Sequence, residues 1–329
     1  MSMNLTATIK EIVHGVQVGN ALAIDEAHEL YSAMLDGGVP ELELGAILAA
    51  LQMKTEGLSE LLGFYDALNE RLYHLDSPVD ELRTVVLPSY YGTFQQPNLV
   101  PLLALWLRKL GVPVLMHGSL EANGRVASAY VLRALGIMPC ASLAQAQLAL
   151  NNDKFAFVPT AALAPGLATL LGLRNRLGIR NTAHILAATI DPFGGNSLRV
   201  IGANSPESLA MMGELMLASG GTALLLSNAE GEPVVDPVKR PRMELFSNYE
   251  RQILFEEEAG VTRNLNHLSQ QHDDKTTAVL TRQLLAGEAP LPLPLVNQLA
   301  CCLYGAGVTD DLIQAKAIVA VETGSLSAA

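Results

Sequence analysis

Between Arg83 and Gly136 the spacing of apolar residues changes period twice. Thr84-Val85-Val86-Leu87 is an unbroken apolar run that ends in the turn Pro88-Ser89-Tyr90-Tyr91-Gly92. Leu99, Leu102, Leu103, Trp106, Leu107 and Leu110 then recur at helical spacing. Pro97 and Pro101 are compatible with that helix because they fall at or near its first turn. Gly111 stops it, and a second apolar run, Val112 to Met116, leads into His117-Gly118-Ser119. A further helix from about Arg125 closes at Leu135-Gly136. The pattern predicts strand, helix, strand, helix, the unit of a parallel α/β sheet. Ligands of such sheets bind at turns following the strands, so both turns are candidate site segments.

Residues up to about 75 predict helices only. Asp25 is the expected cap of a helix through Leu35, ended by Gly37-Gly38. Pro40 starts the next, with Leu44, Ile47, Leu48 and Leu51 on one apolar face. Ser59 is the expected cap of a third, carrying Leu61, Tyr65, Leu68 and Leu72, and Asp76-Ser77-Pro78 reads as a linker. Beyond Gly136 the pattern predicts a helix over Leu143 to Leu150 and a strand over Phe155 to Val158. A helical segment from Ala161 to Ala188 contains Arg174, Arg176 and Arg180, with Asp191-Pro192 and Gly194-Gly195 breaking it. Strands are expected over Leu198 to Ile201 and Thr222 to Leu226, with a helix over Glu207 to Ala218 between them. Residues 227–275 show no readable period. Helices near Thr276 to Ala286, Leu295 to Tyr304 and Leu312 to Glu322 complete the chain.

Composition narrows the class. Half of the 329 residues are apolar and 16% are charged, which supports a sizeable core and argues against disorder. With 21 Lys and Arg against 33 Asp and Glu, the net charge of −12 excludes a uniformly basic surface but not a local basic groove. Three cysteines, two of them the adjacent Cys301-Cys302, suit a reducing compartment and offer no disulfide framework or zinc spacing. Met1 to Leu5 lack a basic stretch leading into an apolar one, so no signal peptide is expected. Apolar runs break too early to span a membrane. A cytoplasmic protein with no membrane partner is expected.

Several longer stretches carry a family likeness. They are Leu44 to Leu51 with Lys54 and Glu60, residues 116–136, Leu177-Gly178-Ile179-Arg180 with Pro192, and Leu284 to Glu288 with Asn297. On these the chain resembles the anthranilate phosphoribosyltransferase family, whose fold is shared with pyrimidine nucleoside phosphorylases. The resemblance implies a small all-helical domain that dimerises and a large α/β domain with a mainly parallel central sheet. Residues 1–75, with 162–192 crossing back, would form the first; 77–160 and 196–329 would form the second.

The enzymes' chemistry is not matched. Their Gly-Thr-Gly-Gly-Asp loop lets backbone N–H groups approach a diphosphate, and here two tyrosines stand in Pro88 to Gly92. Their Asn-x-Ser-Thr becomes Asn98-Leu99-Val100-Pro101, their phosphate-binding lysine falls on Met116, and their Asn-Arg pair falls on Ser119-Leu120. Their adjacent Asp-Glu pair for magnesium becomes Glu230-Gly231-Glu232-Pro233-Val234. Without metal and cationic donors a departing diphosphate has no stabiliser. Ser89, Gly92, Asn98, His117, Gly118, Ser119 and Arg125 are therefore candidates for a relic phosphate or substrate site, with no catalytic residue, metal or cofactor expected.

The arginines survive better, and Arg174 falls on the arginine that family enzymes turn toward anthranilate. The whole pattern is similar to a divergent DNA-binding branch of the family. That likeness implies non-sequence-specific binding of DNA or RNA by a homodimer, with Arg174, Arg176, Arg180, Lys239, Arg240 and Arg242 as candidate phosphate contacts. An active glycosyl- or phosphoribosyltransferase is the alternative, and a binder of a small phosphorylated or aromatic ligand a third reading. Residue by residue, plainer readings stand beside these. The three arginines at i, i+2 and i+6 do not share one helical face, so at least one is expected to be a domain-interface residue held by salt bridges. Lys239-Arg240-Pro241-Arg242 can be solvated surface. His117-Gly118 can be a turn after a buried strand, and Tyr90 and Tyr91 can pack rather than stack on bases. Cys301-Cys302 reads as core. His267 and His272 with Asp273 and Asp274 read as a polar loop rather than a metal site.

Overall fold

The computed structural model describes residues 4–18, 21–78, 81–122, 124–258 and 273–324. The chain divides into two compact units. One comprises Met1–Tyr73 and Thr160–Ile190, the other His74–Pro159 and Asp191–Ala329.

The first unit begins with helices α1 (Leu5–Val18), α2 (Ile24–Leu35), α3 (Glu41–Lys54) and α4 (Leu58–Asn69). Two expected caps are replaced. Asp25 lies inside α2, and the N–H of Ala23 is held by Glu26, 3.1 Å away. Ser59 lies inside α4 and donates to the Leu22 carbonyl at 2.9 Å. Fully buried Glu60 does the capping instead. It accepts from the N–H groups of Leu22 (3.0 Å) and Gly57 (2.9 Å) and pairs with Lys54. In both helices a glutamate reaches back from the first turn to donors that a short cap side chain would otherwise serve. Ile47, Leu48 and Leu51 are buried within this unit, so Ile47 and Leu48 offer no surface for dimerisation. The exposed apolar side chains of α3 are Leu42 and Met53.

The second unit takes over with β1 (Thr84–Ser89), α5 (Val100–Lys109), β2 (Val114–Gly118), α6 (Ser128–Ala134), α7 (Leu143–Asp153) and β3 (Phe155–Pro159). β1 runs two residues further than the pattern suggested, because Pro88 and Ser89 stay in register with His117 and Gly118. The chain then returns to the first unit as α8 (Thr160–Leu163), α9 (Pro165–Gly172), α10 (Arg174–Leu177) and α11 (Thr182–Ala187). The single helical segment expected here is thus four short ones. Pro165 restarts the chain, Gly178 takes the left-handed conformation at φ +72°, and Asn181 caps α11 through Ala183 N–H at 3.0 Å.

Back in the second unit come β4 (Ser197–Ala203), α12 (Pro206–Ser219), β5 (Thr222–Ser227), β6 (Met243–Ser247), β7 (Glu250–Phe255), α13 (Asp274–Ala286), α14 (Leu293–Ala306) and α15 (Leu312–Glu322). Among the described residues one sheet runs in the order β3-β2-β1-β4-β5-β6-β7. The first five of these strands pair in parallel, and β6 and β7 add an antiparallel edge. This hairpin lies in the stretch with no readable period. Its turn, Asn248-Tyr249, has both residues at positive φ, as a two-residue hairpin turn requires. The core fills around β1, β2, β4 and β5 with α5 and α14, and includes Met116, Cys301 and Cys302. His267 and His272 lie outside the described residues; Asp273 caps α13, accepting from Thr276 N–H at 2.7 Å.

The winding places a switch point. From β1 the chain proceeds to β2 and β3 on one side and then to β4 and β5 on the other. The crevice beyond the carboxyl ends of β1 and β4 is therefore where such a sheet takes its ligand. The strands approach closely there: a methyl group on Gly118 would fall 1.8 Å from the Ser89 carbonyl oxygen. Because that obstacle is backbone inside a sheet, Gly118→Ala is expected to destabilise the protein by about 3 kcal/mol, read from urea unfolding.

Candidate functional site

The loop after β1 lies at this switch point, and its backbone N–H groups converge on two carboxylates. Tyr91 and Gly92 donate to Glu232 Oε1 at 2.8 and 2.7 Å. Phe94 and Gln95 donate to Glu230, at 2.8 Å to Oε2 and 3.0 Å to Oε1 respectively. Arg125 ion-pairs with Glu230, and its Nε donates to the Gly92 carbonyl at 3.2 Å. Both glutamates come from the connection after β5 and cross to β1 over the end of β4. Gly202 of β4 makes room, since a Cβ there would sit 2.1 Å from the Glu232 carbonyl oxygen. Asn228 shapes the connection by accepting from Glu230 N–H (2.8 Å) and donating to the Val234 carbonyl (2.6 Å). Gln298 on α14 holds its far side through Pro233 and Val235, both at 2.9 Å.

Burial pushes the Glu232 carboxyl above its ordinary range. The Tyr91 N–H, the Gly92 N–H and the Arg125 charge pull it back. The Tyr91 ring lies over Gly231, whose φ of +79° a side chain would not readily adopt. Tyr90 is buried and its hydroxyl lies 2.7 Å from His117 Nδ1. Neither tyrosine side chain is thus the exposed aromatic of this loop. That is Phe94, at 71% exposure.

The remaining relic-site residues bond to one another. Ser89 donates to Ser128 at 2.8 Å, and buried Asn98 donates to the Val126 carbonyl at 2.8 Å. Ser119 N–H donates to the Ser89 carbonyl at 3.1 Å. His117 is fully buried, its Nε2 has no partner, and burial pushes its pKa down to about 3.

The six candidate cations separate by environment. Arg176 makes a two-pronged pair with Glu41 at 3.1 and 3.0 Å; both residues belong to the helical unit, so this salt bridge is not the domain-interface one expected. Arg174 and Arg180 act instead on His184. Burial, then the charge of Arg174, then that of Arg180, lower its pKa to about 4. His184 was missed in the sequence, although it follows Arg180 by four residues. In the second unit the basic run faces the acidic run Glu256 to Glu258. Lys239 pairs with Glu257, Arg240 with Glu258 at 2.9 Å, and Arg242 with Glu244 at 2.5 Å and Glu256 at 3.7 Å. Arg240 also lies over the Phe255 ring, 5.0 Å from its centroid. The compact positive run is thus matched locally by carboxylates.

Comparison with known proteins follows the same outline. Residues 7–72 match the glycosyl transferase family, helical bundle domain. The uncharacterized protein YbiB of Escherichia coli (strain K12) is 39% identical over 306 residues, covering 93% of this chain and 95% of YbiB. Anthranilate phosphoribosyltransferase of Synechococcus sp. (strain JA-3-3Ab) is 32% identical over 222 residues, which is 64% of this chain and 61% of that enzyme. The crystal structure of the Thermus thermophilus anthranilate phosphoribosyltransferase superposes with a TM-score of 0.78 at 26% identity, covering 95% and 94% of the two chains. The Saccharomyces cerevisiae enzyme, solved in complex with PRPP and Mg, gives 0.70 at 14% identity over 98% and 96%, a likeness of fold alone. The chain belongs to the anthranilate phosphoribosyltransferase-like family, which includes the YbiB-type proteins. No helix among the described residues is long and apolar enough to cross a membrane.

Magnesium and a phosphoribosyl diphosphate do not fit the residues found here. Both oxygens of Glu230 and Oε1 of Glu232 are spent on backbone N–H groups, which leaves the buried, unpartnered Glu232 Oε2 alone and gives no adjacent carboxylate pair for a metal. The position expected for a phosphate-binding lysine is the buried Met116.

The two buried histidines set a pH dependence. His117 stays neutral in the folded protein down to about pH 3, whereas the unfolded chain takes up its proton near 6.5. The unfolded state therefore binds more protons across that window, and stability falls as pH drops through it. His117→Gln is expected to flatten this acid limb by up to about 1.4 kcal/mol per pH unit, measured by urea unfolding between about pH 4 and 7.

Proposed function

We propose that the protein is a non-enzymatic nucleic-acid-binding homodimer that retains the transferase fold with a degenerate phosphoribosyltransferase site. The observation that carries this reading is that Arg174 and Arg180 both bear on His184, whose pKa is lowered chiefly by burial and then by their two charges. Arg174 has no ion pair among the described residues, so it is available to a phosphate without first leaving a carboxylate. In a chain of net charge −12, such local segregation is what polyanion binding requires, because the long-range field is repulsive. The likeness to a DNA-binding branch of the family supports the same reading. Against catalysis stand the loop carboxylates and Met116.

Arg176, Lys239, Arg240 and Arg242 rank below Arg174 as contacts, since each must give up a glutamate to meet a phosphate. Exposed pairs cost little to break, so they can still add to a bound state. Two copies of the array in a dimer would engage one long nucleic acid and gain affinity through effective concentration. Phosphate contacts carry no base information, so binding is expected to be nearly independent of sequence.

Gel shifts with DNA and RNA at two salt concentrations test the reading. Wild-type protein is expected to bind at low salt with a steep salt dependence. Arg174→Ala/Arg180→Ala is expected to weaken every sequence alike and to reduce the salt slope by about two. Lys239→Ala/Arg240→Ala/Arg242→Ala is expected to have the smaller effect. Absence of any shift at low salt would refute nucleic-acid binding, and a monomer mass by light scattering at micromolar concentration would refute the dimer.

A further inference from the structure

We propose that Glu230 and Glu232 are built-in acceptors: they fill the ligand seat of the sheet from within the chain and leave an oxyanion site that is occupied without any ligand. Convergent backbone N–H groups in a turn form a concavity that binds phosphate or sulfate. The turn in question follows β1 at the switch point, the place where an open parallel sheet binds its ligand. Its donors, the N–H groups of Tyr91, Gly92, Phe94 and Gln95, all end on the two carboxylates at 2.7 to 3.0 Å. Arg125 completes the arrangement as a cation on Glu230, as it would on a bound oxyanion.

The occupant is itself positioned by the fold. Asn228 and Gln298 fix the connection that carries it, and Gly202 lets its backbone pass within reach of β1. Two carboxylates held this way do for the loop what a diphosphate would do, and they cannot dissociate. A free oxyanion entering the seat would have to displace both against their own tether. The seat is therefore closed to phosphorylated small molecules while remaining, in its backbone, an oxyanion site. This occupancy is independent of nucleic-acid binding and stands or falls separately.

Inorganic diphosphate, without metal, is the probe, and the amide resonances of the four loop residues are the readout. In the wild-type protein these amides are expected to stay unmoved at millimolar diphosphate. In Glu230→Ala/Glu232→Ala the emptied seat is expected to take the probe, with saturable shifts confined to the loop and a rise in Tm that the wild type does not show. Glu230→Gln alone gives a second reading that does not require the double variant to fold. Hydrogen exchange at Phe94 and Gln95 is expected to accelerate about tenfold or more while Tyr91 and Gly92 keep their protection. Saturable diphosphate shifts in the wild type, a folded double variant that ignores diphosphate, or unchanged exchange in Glu230→Gln would each overturn the proposal.

Discussion

Backbone N–H groups at the carboxyl edge of a parallel sheet need acceptors, and a loop without a ligand must find them in water or in its own chain. Here they are found in Glu230 and Glu232. The consequences spread outward. Holding two carboxylates over β4 demands Gly202 beneath them, Asn228 to bend their connection and Gln298 to anchor it. It also demands Arg125, since a buried carboxylate without a cation is costly. The tyrosines of the β1 loop become tolerable for the same reason. Once no ligand has to approach the backbone, Tyr90 can turn inward to His117 and Tyr91 can lie on Gly231.

A sheet can keep its fold when its ligand crevice is filled from within the chain. The relic polar residues remain, but Ser89, Ser128 and Asn98 now bond among themselves rather than toward an open site. Any contact with a polyanion must then come from side chains elsewhere, and several of the candidate cations have a carboxylate close by. Arg174 has no ion pair among the described residues, and its charge, with that of Arg180, adds to the burial that keeps His184 neutral.

The β1-α5-β2-α6 unit was legible because buried parallel strands are continuous apolar runs, and Pro97, Pro101 and Gly111 punctuate them at the right places. The β6–β7 hairpin was not. Its outer strand is an edge whose first three residues, Glu250, Arg251 and Gln252, are polar and exposed, which dilutes the alternation. Missing the hairpin also hid the glutamates that neutralise Lys239 to Arg242, because the bridge between Arg240 and Glu258 forms beside it. Helix starts were misjudged at Asp25 and Ser59, plausible caps that Glu26 and Glu60 displaced by reaching back. At the site, the departures from the family's phosphate-binding pattern could be read from Tyr90, Tyr91 and Met116. That Glu230 and Glu232 serve the loop could not, since the two segments lie some 140 residues apart and meet only through the strand order. Of the arginine trio, Arg176 is turned to Glu41 within the helical unit, not across a domain interface as the spacing argument expected.

Amide hydrogen exchange on the ligand-free wild-type protein tests the internal occupancy most directly. If Glu230 and Glu232 fill the seat, the N–H groups of Tyr91, Gly92, Phe94 and Gln95 exchange as slowly as those of strand β1, with no added phosphate or metal. Exchange at the rate of an open loop, slowed only when an oxyanion is supplied, would contradict it.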